Sequence, residues 1–336
     1  MAGVVVSQLW RFPVKSMGGH RVDEVRVDRR GVHADRLWAV RDLQNDITAS
    51  ARRLPKLLGC SAAYVTPPDA SAGPGNVPEV IITFPDGSEC SSSDGAVHRL
   101  LSELVGREVR LTPLPPAEDT SRHRLSVQQS AANFSAAEVR RDFGLAESEA
   151  LPDTTVFTAK QILTLARFAT PPGTFVDLSP VHLLSTTSLA SLADGAEPYD
   201  VRRFRPNVLV AVDPPGDGFP EAAWVGGEVE IGSARLHVTN PTIRCVVPTR
   251  PQPDLDLDRG LTRRLVDHTD RFLGIYADVA APGTIRVGDA VSVRPATPPN
   301  RVQRAVMAAN RTALRQVQRV LEATVLRERA SHLPPR

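Results

Sequence analysis

The stretch "EVEIGSARLHVTNPTIRCVVPT", residues Glu228 to Thr249, decides the fold class and poses the functional question. Its two parts, "EVEIGSARLHVTN" and "TIRCVVPT", are rich in β-branched residues and bounded by glycine or proline, which predicts short strands. The second part also places Cys245 between an arginine and two valines. The segment therefore raises two questions: whether it forms part of a sheet, and whether its thiol is a core side chain or a thiolate with chemistry to perform.

Segments elsewhere in the chain have the same strand-like character. They include "VVVSQLWRFPV" and "EVIITFPDGSEC" in the first hundred residues, and "VRRFRPNVLVAVD" and "AVSVRP" around the opening stretch. A helix is predicted at "GAVHRLLSELVG", with Asp94 as its N-cap. Many short strands with few long helices predict a mostly β (α+β) protein, built from barrels or strongly bent sheets rather than a doubly wound βαβ array.

A chain of 336 residues and 36.3 kDa exceeds the usual size of one hydrophobic core, so two packed units are expected. We predict a first β domain over residues 1–111, a polar connector with a short helix over 112–155, and a second β domain over 156–296. Residues 297–336 are predicted to form a basic C-terminal helix and tail. That helix is expected to pack on its own domain, with docking to an acidic partner or an anionic membrane surface as the alternative.

Composition excludes several function classes. The formal net charge of +2 gives no reason to expect nucleic acid as a partner. Three cysteines, Cys60, Cys90 and Cys245, are fewer than the four that an iron–sulfur cluster normally needs, and their odd number suits a reducing compartment. The N-terminus lacks the apolar core of a signal peptide, and no run reaches the roughly 18 apolar residues of a membrane span. A cytoplasmic protein without a membrane span is therefore expected.

Two segments carry residues suited to an anion. In "FPVKSMGG", Lys15 and Ser16 lie at a turn whose backbone N–H groups, together with the side chains, can hold a phosphate. In "RRFRPNVLV", a strand would place Arg203, Arg205 and Asn207 on one side, and arginine binds phosphate through two parallel hydrogen bonds. A solvated edge strand explains the second segment equally well. Asp35 and Arg36 in "ADRLW" are most simply a structural ion pair.

Cys245 has two interpretations on its own residues. A lone cysteine beside two valines is by default a buried structural side chain. The adjacent Arg244 would lower its pKa and favour the thiolate, the form that attacks or binds metal. The nearest histidines in sequence are His237 and His268, and nothing indicates a Cys–His hydrolase.

Together, these segments resemble the MOSC family, named for the C-terminal domain of molybdenum-cofactor sulfurase, and within it the amidoxime-reducing branch. "FPVKSMGG", "ADRLWAV" and "ITASARRLPKL" are similar to the N-terminal MOSC β-barrel. "FVDLSPVHLLSTTSLASL", "RRFRPNVLV", "NPTIRCVVPT" and "PGTIRVGDAVSV" are similar to successive parts of the MOSC domain. The resemblance implies that the two predicted β domains are a MOSC-type N-terminal β-barrel packed with a MOSC β-barrel domain.

The resemblance also implies a cofactor, the molybdenum cofactor (Mo-molybdopterin), with Cys245 as the thiolate ligand to molybdenum. The residues implied to hold the pterin and its phosphate are Lys15, Ser16, Arg36, Arg52, Arg205 and Asn207. Asp177 and Ser179 match positions near the cofactor, Asp177 being the second catalytic candidate. Thr242 lies on the cysteine loop, where many relatives carry a second cysteine.

The resulting expectation is an oxidoreductase that reduces N-hydroxylated or other N-oxygenated small molecules by oxygen-atom transfer. Because the cysteine count excludes an internal iron–sulfur cluster, electrons are expected from a separate electron-transfer protein. The alternative is a sulfur carrier or cofactor-binding protein that uses a persulfide on Cys245. A MOSC scaffold without cofactor is a third interpretation, and pyridoxal phosphate is not expected.

Overall fold

The computed structural model describes residues 3–296, except residues 134, 148, 150, 154 and 215. The described part is mostly strands with few helices, which confirms the predicted fold class. The predicted basic helix and tail over residues 297–336 lie outside the described residues. No helix in the described part is long and apolar enough to cross a membrane.

The first third of the chain is built from short strands and one helix. Two three-stranded sheets form here, in the orders β10-β5-β6 and β7-β8-β9. The elements are β1 (Gly3–Arg11), β2 (His20–Val22), β3 (Glu24–Asp28), β4 (Gly31–Val32), β5 (Trp38–Asp42), β6 (Ile47–Thr48), β7 (Ser61–Tyr64), β8 (Val80–Thr83), β9 (Glu89–Ser91), α1 (Ala96–Val105) and β10 (Val109–Pro113). The helix predicted after Asp94 is α1.

The middle of the chain is helical. The helices are α2 (Val127–Asn133), α3 (Ala136–Phe143) and α4 (Ala159–Arg167). A short helix near 135–143 was expected in the connector and corresponds to α3, whereas α2 has no sequence prediction. The α4 helix begins at Thr158 with a capping box, since the Thr158 side chain accepts from Gln161 N and the Gln161 side chain accepts from Thr158 N.

The remaining strands assemble one large sheet. Its elements are β11 (Val181–Ser185), α5 (Thr186–Ala193), β12 (Val208–Asp213), β13 (Glu228–Ile231), β14 (Ala234–Ile243), α6 (Leu261–Thr269), β15 (Phe272–Ala281), β16 (Gly283–Arg286) and β17 (Val291–Arg294). The eight-stranded order is β17-β13-β14-β15-β11-β12-β1-β2, and β16 pairs with β3. Because β1 and β2 join this sheet, the first strands of the chain complete the second predicted domain, and the division at residue 111 stays a prediction.

The large sheet closes on itself. Val6 N donates to Asp289 O at 2.9 Å and Gly288 N donates to Val6 O at 2.8 Å, so the chain before β17 meets β1. The inside of the curved sheet is apolar, with Leu183, Leu236 and Ile275 each fully buried. Since side chains alternate across a strand, the neighbouring residues of the same strands point to the outer face.

A β-bulge sets which residues of β14 face outward. Val238 pairs with Ala277, and the register then shifts so that Asn240 pairs with Tyr276. The extra residue moves Asn240 from the inner face, which Val238 occupies, to the outer face. A second irregularity follows between Pro241 and Ile243, directly before the loop that carries Cys245.

Candidate functional site

The candidate site lies where the turns of the first third of the chain meet the outer face of the large sheet. Lys15 links the first third of the chain to the segment before β11. Its Nζ donates to Phe175 O at 3.1 Å and forms an ion pair with Asp177, in the segment before β11. Burial lowers the pKa of Lys15, and the Asp177 carboxylate opposes that effect. The structure thus brings together two residues that are 162 positions apart in sequence.

Asp177 is an anion in this setting. Its side chain is 65% exposed on the open side of the site. Desolvation by the surrounding protein raises the pKa of Asp177, but Lys15 and Arg52 outweigh that effect and hold it well below its usual range. A carboxyl group with this pKa is ionised at neutral pH, so it orients cations and has no proton to donate.

Three of the predicted site residues adopt the left-handed backbone conformation: Ser16 (φ 70°), Arg36 (φ 52°) and Arg205 (φ 56°). Residues with a side chain rarely occupy this region, and each such residue costs about 1–3 kcal/mol. The surrounding hydrogen bonds enforce the turns. Arg36 N donates to Phe12 O at 2.7 Å, and Ser16 Oγ accepts from Ala51 N at 2.9 Å. Three of the nine non-glycine residues with positive φ in the described part are thus residues of the site.

The segment before β12 is a turn rather than the expected strand. Residues Val201–Arg203 form a 3-10 helix capped by the Asp200 side chain, and β12 begins only at Val208. Arg203 donates to Pro248 O at 3.1 Å and to Asp256 O at 2.8 Å. The prediction that Arg203, Arg205 and Asn207 share one face of a strand is therefore wrong, because the capped turn sends Arg203 to the loop beyond Cys245.

Arg36 and Arg205 converge on one aromatic ring. Their guanidinium carbons lie 4.8 Å and 4.4 Å from the centre of the Phe12 ring, within cation–π range. Arg36 is ion-paired with Asp35, as the sequence suggested. Among the described residues, Arg205 Nη2 is buried and has no hydrogen-bond partner. Burial, followed by the charge of Arg36, lowers the pKa of Arg205 to about 9.

Cys245 lies in the loop after β14 and is half-buried. Burial raises the pKa of its thiol, which outweighs the lowering by Arg52, by the Val247 N–H and by Arg244. The adjacent Arg244 does lower the pKa of the thiol, as the sequence suggested, but burial has the larger effect. Arg52, predicted as a cofactor residue, has a larger effect on the thiol than Arg244 and is itself bonded to Asp142 at 2.9 Å.

Arg244 donates hydrogen bonds to three acceptors, two backbone carbonyls and one side-chain nitrogen. Its Nε donates to Leu273 O at 2.8 Å, its Nη1 to Phe204 O at 3.1 Å, and its Nη2 to His182 Nε2 at 2.7 Å. Burial lowers the pKa of His182 far below its usual value, so this ring is neutral and accepts at Nε2. Its Nδ1 then donates to Arg205 O at 3.4 Å.

We call Arg244 and His182 the clamp. The clamp binds the carbonyls of Phe204 and Arg205 and so fixes the left-handed turn that presents the Arg205 guanidinium. Gly274 leaves room for it, because a Cβ there would lie 2.8 Å from His182 Nε2 and 3.1 Å from Arg244 Nη2. The thiol loop and the Arg205 turn are thereby held in one arrangement.

The other predicted residues differ in whether their polar side-chain atoms already have hydrogen-bond partners. The Asn207 side chain is used by the fold, since Oδ1 accepts from His182 N at 3.3 Å and Nδ2 donates to Trp10 O at 3.4 Å. Ser179 Oγ accepts from Gln161 Nε2 at 3.4 Å. Thr242 is 1% exposed, and its Oγ1 has no partner among the described residues. Thr242 and Arg205 therefore hold buried polar atoms that a bound group would satisfy.

Several residues of the site were not predicted from the sequence. They are His182, Tyr276, Asn240, Gln161 and Asp142. Gln161 Nε2 donates to Asn240 Oδ1 at 2.7 Å and so ties α4 to β14. His182 and Asn240 lie directly opposite Tyr276 on the two strands beside β15. Polar residues at alternating positions of otherwise apolar strands were the available signal, but their convergence depends on register and on the bulge.

The described residues contain no group of three or more His, Cys, Asp and Glu side chains placed to hold a metal ion. A metal at Cys245 would therefore have one thiol from the protein and would need its remaining ligands from a bound group. The site as a whole combines several cationic side chains with one thiol, and Asp35, Asp142 and Asp177 are the ion-pair partners of three of those cations.

Comparisons with known proteins agree with this architecture. A family described as the MOSC domain matches residues 171–292, and one described as the MOSC N-terminal beta barrel domain matches residues 3–91. The chain is 26% identical over 318 residues to mitochondrial amidoxime-reducing component 1 of Mus musculus, covering 85% of this chain and 81% of that protein. The Homo sapiens protein of the same name is 27% identical over 314 residues, covering 85% and 82%.

Among solved structures, the YUAD protein from Bacillus subtilis aligns with a TM-score of 0.39 at 13% identity, over 88% of this chain and 98% of that chain. The two matched family ranges divide the site between them. Lys15, Arg36 and Arg52 fall in the first range, and Asp177, Arg205 and Cys245 in the second. The chain belongs to the MOSC family, with a MOSC N-terminal beta barrel domain followed by a MOSC domain.

Proposed function

We propose that this protein is a molybdenum-cofactor-dependent reductase of N-oxygenated small molecules that receives electrons from a separate electron-transfer protein. The observation that carries the proposal is the half-buried Arg205 side chain, whose buried Nη2 has no hydrogen-bond partner and whose guanidinium bonds to no carboxylate among the described residues. A buried donor of a cation is costly without a partner, and the charges of Asp177 and Asp35 only partly offset burial and the charge of Arg36, so the folded site favours an anion there.

The residues present fit the molybdenum cofactor. Arg36, Arg205 and Lys15 supply the cations that a pterin phosphate needs, and the Thr242 hydroxyl is a buried polar atom without a partner. A single thiol suits a metal whose other ligands come with the cofactor, and thiolate is a soft ligand. We assign Cys245 as the metal ligand, and Lys15, Ser16, Arg36, Arg52, Ser179, Arg205, Asn207 and Thr242 as the cofactor site. The bound cofactor supplies oxygen-atom transfer and two-electron chemistry.

The chain's own residues have separate tasks in this proposal. Cys245 would hold the metal as a thiolate, and Arg52 and the Val247 N–H would stabilise that form. Asp177 stays ionised beside Lys15 and orients that ammonium group, which we propose as its part in the catalytic site. Asn207 acts through the backbone of β1 and β11, because both ends of its amide are bonded there.

The substrate class rests on the relatives. Two similar proteins are named as amidoxime-reducing components, and we propose the same class of reaction for this chain. Reduction of an N-hydroxylated compound breaks the N–O bond, consumes two electrons and two protons, and yields the amine and water. The electrons are assigned to a protein partner, since the described residues show no redox-active disulfide and the chain has only three cysteines.

The decisive experiment measures molybdenum and pterin in protein purified from a host that makes the cofactor. Cys245→Ser is compared with wild type and with Cys90→Ala, a matched control whose thiol is buried in the core of the first third of the chain. Near-stoichiometric molybdenum in wild type and control, with lost or altered metal in Cys245→Ser, is expected. Wild-type protein free of metal and pterin would overturn the proposal.

A persulfide carrier is the competing function, and the thiol bears on it. A carrier needs a thiolate that attacks the sulfur donor, whereas burial raises the pKa of Cys245. The same purification separates the two functions. A carrier would show Cys245 with one extra sulfur atom by mass spectrometry and no stoichiometric molybdenum.

A further inference from the structure

Tyr276 occupies the centre of the outer face of the large sheet. It lies on β15, directly opposite His182 of β11 and Asn240 of β14. Its ring centre is 5.5 Å from that of His182, and its backbone carbonyl accepts from Thr239 Oγ1 at 3.1 Å. Residues directly opposite one another share a face, so Tyr276 stands between two residues of the site.

The Tyr276 hydroxyl is available. The side chain is half-buried, and the described residues provide its hydroxyl with no hydrogen-bond partner. Tyr64, by contrast, donates to Ala34 O at 2.8 Å, and Tyr199 is bonded to Asp258. The titratable groups that act on Tyr276 are those of the site, namely Asp177, Arg244, Arg36, Cys245 and Arg52. The fold therefore leaves this hydroxyl without a partner among the described residues, beside the charged groups of the site.

Three other titratable side chains of the site, those of Asp177, Lys15 and His182, are already engaged. Asp177 is ionised beside Lys15, and Lys15 is bonded to Asp177 and to Phe175 O. His182 is neutral with both ring nitrogens occupied by Arg244 and Arg205 O. Burial, reinforced by Asp177, raises the pKa of Tyr276, so its O–H stays neutral through the working pH range. A neutral phenol in a partly desolvated site is a hydrogen-bond donor with no competing acceptor.

We propose that Tyr276 is a catalytic residue that donates a hydrogen bond to the oxygen on the substrate nitrogen. This role rests on the proposed function. As the N–O bond breaks, negative charge develops on the departing oxygen, and a donor fixed at that oxygen stabilises it more in the transition state than in the ground state. The overall balance is unchanged: the electron-transfer partner supplies two electrons, solvent supplies two protons, and the products are the amine and water.

The test compares Tyr276→Phe with wild type, both loaded with molybdenum cofactor. An aromatic amidoxime serves as substrate and a reduced viologen dye as electron donor. We expect the molybdenum content to be equal in both proteins and kcat to fall about 100-fold in the variant, the size of effect of removing one fixed donor. Tyr199→Phe is the matched control, because that tyrosine lies outside the site, and its kcat is expected to equal that of wild type.

A binding measurement without turnover gives the second readout. Calorimetry on the oxidised protein compares the amidoxime with the corresponding amidine, which lacks the oxygen. Tyr276→Phe is expected to weaken amidoxime binding roughly 2- to 10-fold, the value of one hydrogen bond, and to leave amidine binding unchanged. Tyr276→Gln keeps a donor and is expected to recover part of that difference, which a purely structural role would not allow.

The outcomes that overturn the role are distinct from failure of the proposed function. Unchanged kcat in Tyr276→Phe, equal weakening of both ligands, or lost molybdenum would each show that Tyr276 does not act on the substrate oxygen. Wild-type protein without molybdenum, or with molybdenum but no amidoxime turnover, would overturn the proposed function and this role together.

Discussion

The turn around Arg205 and the loop around Cys245 are both segments that the sequence assigned to one site, yet their arginines are used in opposite ways. Arg244, next to Cys245, places all three donor positions on acceptors of the fold. Arg205 keeps a buried Nη2 without a partner among the described residues. A residue adjacent in sequence to the functional atom is thus structural, and one 40 positions away carries the free positive charge.

The difference shows how a protein holds a cation ready for an anion. The fold can bury an unpaired guanidinium only if other interactions prevent the turn from relaxing. Here the clamp of Arg244 and His182 binds the carbonyl groups of Phe204 and Arg205. Arg244, whose donors all have partners, therefore stabilises the turn in which Arg205 Nη2 has none.

The largest effect is expected for Arg244→Met. Removing the guanidinium leaves the buried carbonyls of Leu273 and Phe204 and the His182 ring without their donor. We expect the free energy of unfolding to fall by about 3 kcal/mol or more, since each unsatisfied buried group costs about 1–3 kcal/mol. Urea unfolding measures it, with Arg244→Lys as a partial rescue. Unfolding at the wild-type midpoint would show that the clamp does not hold the turn.

Arg205→Met tests the role of the arginine whose Nη2 has no partner. In protein made without cofactor, we expect stability equal to or above that of wild type, because the variant removes a buried Nη2 donor that has no partner. Affinity for the cofactor is expected to fall on the order of 100-fold, as charge-assisted hydrogen bonds are worth about 1.5–3 kcal/mol. Reconstitution of purified apoprotein measures both. A large loss of apoprotein stability would assign Arg205 to the fold instead.

Acid should release the clamp. The folded-state pKa of His182 is lowered below its unfolded value, so its contribution is fully present above pH about 6.5 and is lost as pH falls towards the folded-state value. A protonated ring can no longer accept from Arg244. We expect stability to decline between neutral pH and pH 5, and to decline less in His182→Gln. Unfolding midpoints at several pH values check this, and parallel curves for the two proteins would contradict it.

The smallest effect is expected for Arg202→Ala, three residues before Arg205. Arg202 forms a surface ion pair with Asp200 at 2.8 Å, and its side chain is 36% exposed. Such pairs contribute about 0–1 kcal/mol, so stability should change by less than about 1 kcal/mol. Molybdenum content should not change. A clear loss of cofactor in this variant would mean that charge near the turn, rather than the orientation of Arg205, holds the anion.

The sequence was informative where local chemistry repeats a recognisable pattern. The β-rich architecture followed from β-branched segments bounded by glycine and proline, and α1 and α3 lie at segments that were predicted as helical. Lys15, Arg36, Arg205 and Cys245 were identified from short motifs, and the structure brings them to one site. The strand predicted through Arg203 to Asn207 was wrong, because the Asp200 cap and the turn at Arg205 outweigh the apolar character of the residues that follow.

The family, the mostly β fold and the kinds of side chain at the site could be predicted from the sequence, since these depend on residue identity and on short-range pattern. Which arginine is free, whether the thiol is ionised and which hydroxyl is open were decided only by the tertiary structure. The physical reason is that each depends on burial and on partners far away in the chain. A bulge in β14 and the pairing of three strands place Asn240, Tyr276 and His182 side by side, and no local pattern encodes that register.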